Sequence, residues 1–227
     1  MSQAIAVIVP VAVGEGAPPR IFFERVLGVE APISLVGAAD SEISSNVREA
    51  FAKAGARLHL SSAPRGQRLR EAAFSSSEEI LLFLHSDTLL PGGWAESARR
   101  AIASGAVGGA FRLSFSGGSA RMRWVAFWAN ARTAFTRVPY GDQAPFVRRD
   151  IYERIGGHPP WPLLDDWDFA KRLKGRGRIE ILRDAVETSP RRYLEGGVTR
   201  TVLSNWRTLW RFRHGASPEE LAELYRR

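Results

Sequence analysis

The chain contains no cysteine, which excludes disulfides, thiolate zinc sites and cysteine nucleophiles and suits a reducing cytoplasm. It has no apolar run approaching the roughly 18 residues that a membrane-spanning helix needs. The stretch AIAVIVPVAV, residues 4–13, is the nearest imitation of an export signal. No Lys or Arg precedes it and Pro10 interrupts it, so it reads as a first buried strand. Lysine is scarce: three residues against 29 arginines, within a net charge of +8. Arginine grips phosphate in a planar fork, so an anionic small molecule, nucleic acid and an acidic membrane surface are all open as partner classes. Repeats, low-complexity tracts and linkers are lacking too. The expectation is one domain over 1–190, with a helical extension over 191–227 that packs on it.

Hydrophobic residues make up 44% of 227, enough for a sizeable core. Apolar runs at 4–11, 32–37, 57–61, 79–85, 106–114 and 144–148 predict strands. Amphipathic stretches at 18–28, 43–55, 66–76 and 93–104 predict the helices between them. Strands that are continuously apolar, rather than alternating, imply an α/β fold whose mostly parallel sheet is covered on both faces. Such sheets bind ligands at the carboxyl ends of their strands.

The segment LLFLHSDTLLPGGW, residues 81–94, ends one apolar run in His85, Ser86 and Asp87, and so sets Asp87 at that ligand edge. A turn-forming aspartate before Pro91-Gly92-Gly93 is the plainer reading of the same residues. A second acidic group, Asp165, Asp166 and Asp168, opens the helical pattern of PLLDDWDFAKRLKGRGR. Acids there complement the helix dipole, which accounts for one or two of the three. A third acid beside two others is electrostatically awkward without a cation or substrate nearby, and such crowding pushes one carboxylate pKa upward, as a general base requires. Upstream, Asp142 and Gln143 follow a Tyr-Gly turn, and Trp161 and Trp167 flank the acids. Aromatic rings beside carboxylates suit the face of a sugar, and equally suit a core.

The blocks IAVIVPV, LLFLHSDTLLP, GGAFRLSF, YGDQAPFVRRDIYERIGG and PLLDDWDFAKRL, in this order and spacing, resemble the family-2 glycosyltransferases of the GT-A fold. More narrowly, they resemble the small bacterial branch of arsenosugar-biosynthesis, or radical-SAM/selenodomain-associated, transferases. The resemblance covers nearly the whole chain. It implies a nucleotide-sugar donor, inversion at the anomeric carbon, and a divalent metal, Mn²⁺ or Mg²⁺. It implies Asp87 as metal ligand with His85 beside it, Asp166 as base and Asp165 at the neighbouring acidic position. It sets Pro10, Glu15, Asp40, Arg65, Ser86, Arg191 and Arg192 on the donor side. Asp142, Gln143, Trp161 and Trp167 are expected on the side of a small-molecule or lipid acceptor.

The sequence departs from that pattern at three places. Gly37 stands where the second strand usually ends in aspartate, and Arg68 and Arg70 replace an expected Gln and Asn. These leave a degenerate, non-catalytic nucleotide-sugar binder open. A sugar-1-phosphate nucleotidyltransferase is a rival, although VAVGEGAPP lacks the nearby basic residue that would bind a triphosphate. Nucleic acid is not expected as a partner, because the arginines are scattered rather than gathered on one element. In SPRRYLEGG, residues 189–197, an arginine pair beside a glycine hinge suggests a loop that closes over the donor. In GGVTRTVLSNWRTLWRFRHG, Val198, Val202, Trp206, Leu209 and Trp210 form a helical stripe. It is expected to dock on its own domain or on a second subunit. The alternative is contact with the inner face of the membrane. A last helix is expected to begin at Ser217-Pro218, with Glu220 closing a capping box.

Overall fold

The computed structural model describes residues 3–11, 16–27, 31–37 and 43–226; Glu15 and Asp40 lie outside them. The first half alternates strand and helix: β1 (Ile5–Pro10), α1 (Arg20–Leu27), β2 (Ile33–Gly37), α2 (Ser45–Lys53), β3 (Arg57–Leu60), α3 (Arg65–Phe74) and β4 (Ile80–Phe83). These lie close to the boundaries that the apolar runs predict. β5 (Thr88–Leu89), α4 (Trp94–Ala103), β6 (Gly108–Phe115), α5 (Ala120–Thr136), β7 (Phe146–Arg148), α6 (Arg149–Arg154), α7 (Asp165–Lys174) and β8 (Ile179–Thr188) follow. The chain closes with α8 (Arg191–Gly196), α9 (Val198–Arg213) and α10 (Pro218–Arg226). None of the described helices is long and apolar enough to cross a membrane.

One sheet runs in the order β3-β2-β1-β4-β7-β6-β8-β5. The β1, β2, β3 and β4 pairings are parallel, as is β6 with β8. β7 runs antiparallel to both β4 and β6. The period of two is visible in β1. Ile5, Val7 and Val9 enter a core with Phe22, Phe51 and Trp94; Ala6 and Ile8 enter the opposite core with Leu69, Tyr152 and Phe169. Both faces are buried, which is why the strand reads as unbroken apolar sequence.

Two long elements give no clear sequence signal. β8 is half exposed and carries Arg183 and Asp184 in its middle, so it shows no apolar run. α5 turns aromatic residues outward: Trp124, Phe127, Trp128 and Phe135 are all exposed. Its outer face therefore does not contrast with its inner one. A polar clasp ties it to the sheet instead. The Asn130 side chain accepts from Leu113 N–H at 2.7 Å and donates to Leu113 C=O at 2.9 Å.

The second core contains a buried polar unit. His158 stacks on Phe169, with ring centroids 4.4 Å apart, and meets the edge of Phe83. Its backbone N–H donates to the Tyr152 hydroxyl (3.2 Å), and the same hydroxyl shares a hydrogen bond with His158 Nδ1 (2.9 Å). Burial, with Arg65 and Arg172 nearby, holds the imidazole pKa well below its usual value. The folded chain therefore keeps His158 neutral while the unfolded chain protonates it, and stability declines as pH falls below about 6.5. Tyr152→Phe leaves two buried groups without this partner and should cost about 1–3 kcal/mol at neutral pH. Urea unfolding of the two proteins checks this; an unchanged midpoint contradicts it.

Candidate functional site

The antiparallel insertion gathers the chemistry. Because β7 opposes β4, with Phe146 beside Leu82, the segment entering β7 lies where β4 ends. β8 runs parallel to β6, so Thr188 reaches the same edge. Ser189 N–H donates to the Asp87 carbonyl at 3.2 Å. The Thr188 hydroxyl lies 3.4 Å from Asp87 Oδ1 and accepts from Thr88 Oγ1 at 2.9 Å. Asp87 itself is exposed and Ser86 is buried beneath it.

The three acids of α7 separate into different environments. Asp165 is buried, and both its oxygens accept from Arg65 Nη1, at 2.7 and 2.6 Å. Burial raises its pKa to about 6 against the pull of Arg65. Asp168 accepts from Arg172 Nε at 2.6 Å, within their common helix. Asp166 instead accepts backbone N–H groups on both oxygens, from Gly141 at 2.7 Å and Trp167 at 2.8 Å. Those bonds hold its carboxylate in one orientation toward the 141–143 turn. His85 closes the group: its Nε2 lies 3.2 Å from Arg65 Nη2. Burial first, then Arg65, lowers its pKa to about 4. A Cβ at Gly141 would stand 2.8 Å from His85 Nε2 and 3.1 Å from Asp166 Oδ2, so only glycine admits this approach.

Backbone strain frames the site. Leu164, just before Asp165, has φ 61°, and Ala144, just after the 141–143 turn, has φ 44°. Each left-handed residue without a glycine costs about 1 kcal/mol or more. Asp142, in that turn, carries a second cost. Its Oδ1 is buried with no hydrogen-bond partner among the described residues. Burial raises its pKa to about 6, and Asp166 and Asp87 push the same way while Arg132 opposes. Arg132, which sequence reading missed because α5 gave no helix signal, stacks 3.5 Å from the centroid of the Tyr140 ring.

The other expected residues divide. Arg192 acts electrostatically on both His85 and Asp142; Arg191 is exposed. Pro10 ends β1 half-buried. Gln143 cannot face a ligand: it is fully buried, and its amide accepts from Thr133 Oγ1 (2.7 Å) and donates to the Phe111 carbonyl (3.3 Å). Trp161 and Trp167 meet Phe212 of α9 edge to face, at 5.5 and 5.7 Å, so α9 rests on the tryptophans beside α7 through a residue outside the expected stripe, whose Trp206 and Trp210 are exposed. The segment expected to be a hinged loop is α8, started at Pro190 and anchored by Tyr193 against Phe115. Gly37 packs so tightly that a Cβ would fall 1.9 Å from Ile43 Cδ1, which leaves no room for an aspartate without rearrangement. Arg70 leans on Gly157 and lies near Tyr152.

A divalent cation fits this edge in one way. Among the described residues no three His, Asp or Glu side chains could hold a metal together. Asp87 is an exposed carboxylate, and Asp142 offers an unpartnered oxygen within its electrostatic reach. Hard cations of this size take about six oxygens, so a ligand would have to supply most of the shell.

No protein-family model and no curated protein matches the chain. Solved structures do. TarS 1–349 of S. aureus superposes with a TM-score of 0.59 at 15% identity, over 85% of this chain and 63% of that one. The same protein in complex with UDP-GlcNAc gives 0.61 at 14%, over 82% and 58%. The mannosyltransferase PcManGT from Pyrobaculum calidifontis, in complex with GDP-Man and Mn²⁺, gives 0.64 at 20%, over 99% and 70%. The chain thus spans about three fifths of TarS 1–349. It has the fold of these proteins, a mostly parallel sheet flanked by helices, as the sequence resemblance implies.

The raised pKa of Asp142 is testable. A carboxyl whose folded pKa is raised costs nothing below its unfolded value of 3.8 and its full penalty above about 6. In metal-free protein at pH 7.5, Asp142→Asn should therefore stabilise the fold by about 2–3 kcal/mol, with the gain vanishing near pH 4. Denaturant titrations at the two pH values check it; a loss of stability at pH 7.5 contradicts it.

Proposed function

We propose that the chain is a metal-dependent, inverting family-2 glycosyltransferase that moves a hexose from a nucleoside-diphosphate sugar to a hydroxyl of a small-molecule or lipid acceptor. The observation that carries this reading is Asp166. Of the three acids opening α7, two accept from arginine side chains, whereas Asp166 is aimed by two backbone N–H groups at the turn facing His85 and Asp87. The fold shared with proteins captured with UDP-GlcNAc and with GDP-Man and Mn²⁺ supports it. The LHSDT and YGDQ…FVRR blocks support placing it in the arsenosugar-biosynthesis branch.

In this reading Asp166 accepts the proton of the acceptor hydroxyl as its oxygen attacks the anomeric carbon. The bond to the diphosphate breaks on the opposite face, and the nucleoside diphosphate leaves with the electron pair. Asp87 would hold the cation, with Asp142 near it; Mn²⁺ or Mg²⁺ there would neutralise charge on the leaving diphosphate. Arg192, and Arg191 beyond it, are assigned to the same phosphates. His85 is the weaker ligand candidate, since its Nε2 faces a guanidinium. Asp165 positions: it fixes Arg65, and through Arg65 the ring of His85. Trp161 and Trp167 are assigned to the acceptor side.

Asp166→Asn keeps the shape and removes the proton acceptor. Turnover of the accepted donor should fall by roughly 10²–10⁴ with donor affinity unchanged. Parallel kinetic and binding titrations check this. Equal turnover, or a loss confined to donor binding, contradicts the role.

A further inference from the structure

Two helices leave an unusual surface outside the site. On α5, Trp124, Phe127 and Trp128 are more than half exposed, and Phe135 is 90% exposed. The spacings of three, four and seven put them on one face. Their rings touch one another edge to face, Trp124 with Trp128 at 6.1 Å and Phe127 with Trp128 at 5.5 Å. On α9, Leu203, Trp206 and Trp210 repeat the pattern, with Trp206 at 76% exposure. A cleft lined by Ala120, Arg121 and Trp124 on one side and Val198, Thr199 and Arg200 on the other joins the starts of the two helices. The cleft sets Trp124, on the aromatic face of α5, beside the first turn of α9. Four of the seven tryptophans of the chain are exposed on these two helices.

The charge on these helices has one sign. Residues 120–137 contain four arginines and no acid. Residues 189–213 contain six arginines and a single acid, Glu195. Some are engaged elsewhere: Arg132 stacks on Tyr140 and Arg137 reaches the Ile179 carbonyl. Arg121, Arg123, Arg200 and Arg207 are exposed around the aromatic faces. Exposed tryptophan and phenylalanine rimmed by arginine is the composition that settles at the headgroup level of a bilayer. Arginines there are drawn to the phosphates of an anionic leaflet. A second copy of the chain would bring arginine against arginine, and its charge opposes that pairing.

We propose that the exposed aromatic faces of α5 and α9, which adjoin at the cleft between their first turns, dock the protein on an anionic lipid bilayer, with the tryptophans at the headgroup boundary and the arginines on the phosphates. This holds whether or not the chain transfers sugar. It extends to α5 a contact that the sequence suggests only for the C-terminal stripe. Through Phe212, which rests on Trp161 and Trp167, α9 would also set one side of the site close to the lipid surface.

The test is co-sedimentation of the whole chain with vesicles of phosphatidylcholine alone and of phosphatidylcholine with 30% phosphatidylglycerol, at about 0.1 M salt. Binding to the anionic vesicles should exceed binding to the neutral ones by about tenfold or more. The variant Trp124→Ser/Trp128→Ser/Trp206→Ser/Trp210→Ser keeps every arginine and should lose that binding. Brominated lipid in the anionic vesicles should quench tryptophan emission of the unmodified chain, a readout that stands even if the variant folds poorly. Three results overturn the proposal. One is failure to bind anionic vesicles. Another is undiminished binding by a folded tryptophan variant, or no quenching, since net charge alone then accounts for attraction. The third is a dimer in vesicle-free solution that shields these tryptophans from a water-soluble quencher, since a second copy then covers the face.

Discussion

The ion pair between Arg65 and Asp165 ties together the parts on which the site depends. It joins the first residue of α3 to the first residue of α7, elements one hundred residues apart in sequence. Gly66, beside Arg65, lets α3 press so close to the loop before α7 that a Cβ would fall 2.0 Å from the Pro159 carbonyl oxygen. Its N–H donates to the Trp161 carbonyl at 3.0 Å. The other arm of the Arg65 guanidinium reaches His85 at the end of β4. Removing one partner of such a buried pair costs about 3–5 kcal/mol, because the other charge is left uncompensated. A lysine could not replace the fork, since a point charge cannot serve two oxygens and an imidazole at fixed angles. With this corner fixed, the direction of Asp166 follows from the helix start, and the 141–143 turn has one place to sit.

That corner carries stored cost. Two non-glycine residues in left-handed geometry flank it, Leu164 and Ala144. Asp142 holds a buried oxygen that nothing among the described residues satisfies, and several carboxylates share a small region. A stable fold alone would select against each of these features. Together they make an edge that is uncomfortable without a cation or donor-rich ligand beside it. The surrounding sheet can sustain this because both its faces are packed, with Phe51, Phe146 and Trp94 on one side and Tyr152 and Phe169 on the other.

The first half of the fold was legible because β1, β2 and β4 are buried on both faces and its helices on one, so period and burial coincide. β8 and α5 were not. The strand is half solvated with charges in its centre, and the helix turns tryptophan outward where a polar residue would have marked the solvent face. In the site, the acids themselves could be read from sequence, but their sorting could not. Asp165 and Asp166 are adjacent and chemically alike; only the position of Arg65, a hundred residues away, makes one a buried tether and the other an aimed carboxylate. Gln143 looked like a ligand contact because it follows Asp142. A turn of three residues instead points it into the core against Thr133 and Phe111. Arg132 was hidden with the helix that carries it.

The central claim is that the carboxyl edge around Asp87 is a cation-assisted site for a nucleoside diphosphate. Isothermal titration of the folded chain with UDP-GlcNAc and GDP-Man, with and without Mn²⁺, tests it most directly, repeated on Asp87→Ala. The account predicts saturable binding of at least one donor that requires Mn²⁺ and disappears in Asp87→Ala. The thermal midpoint should be unchanged, because Asp87 is exposed. Binding of equal affinity in both proteins, or independent of Mn²⁺, would contradict it.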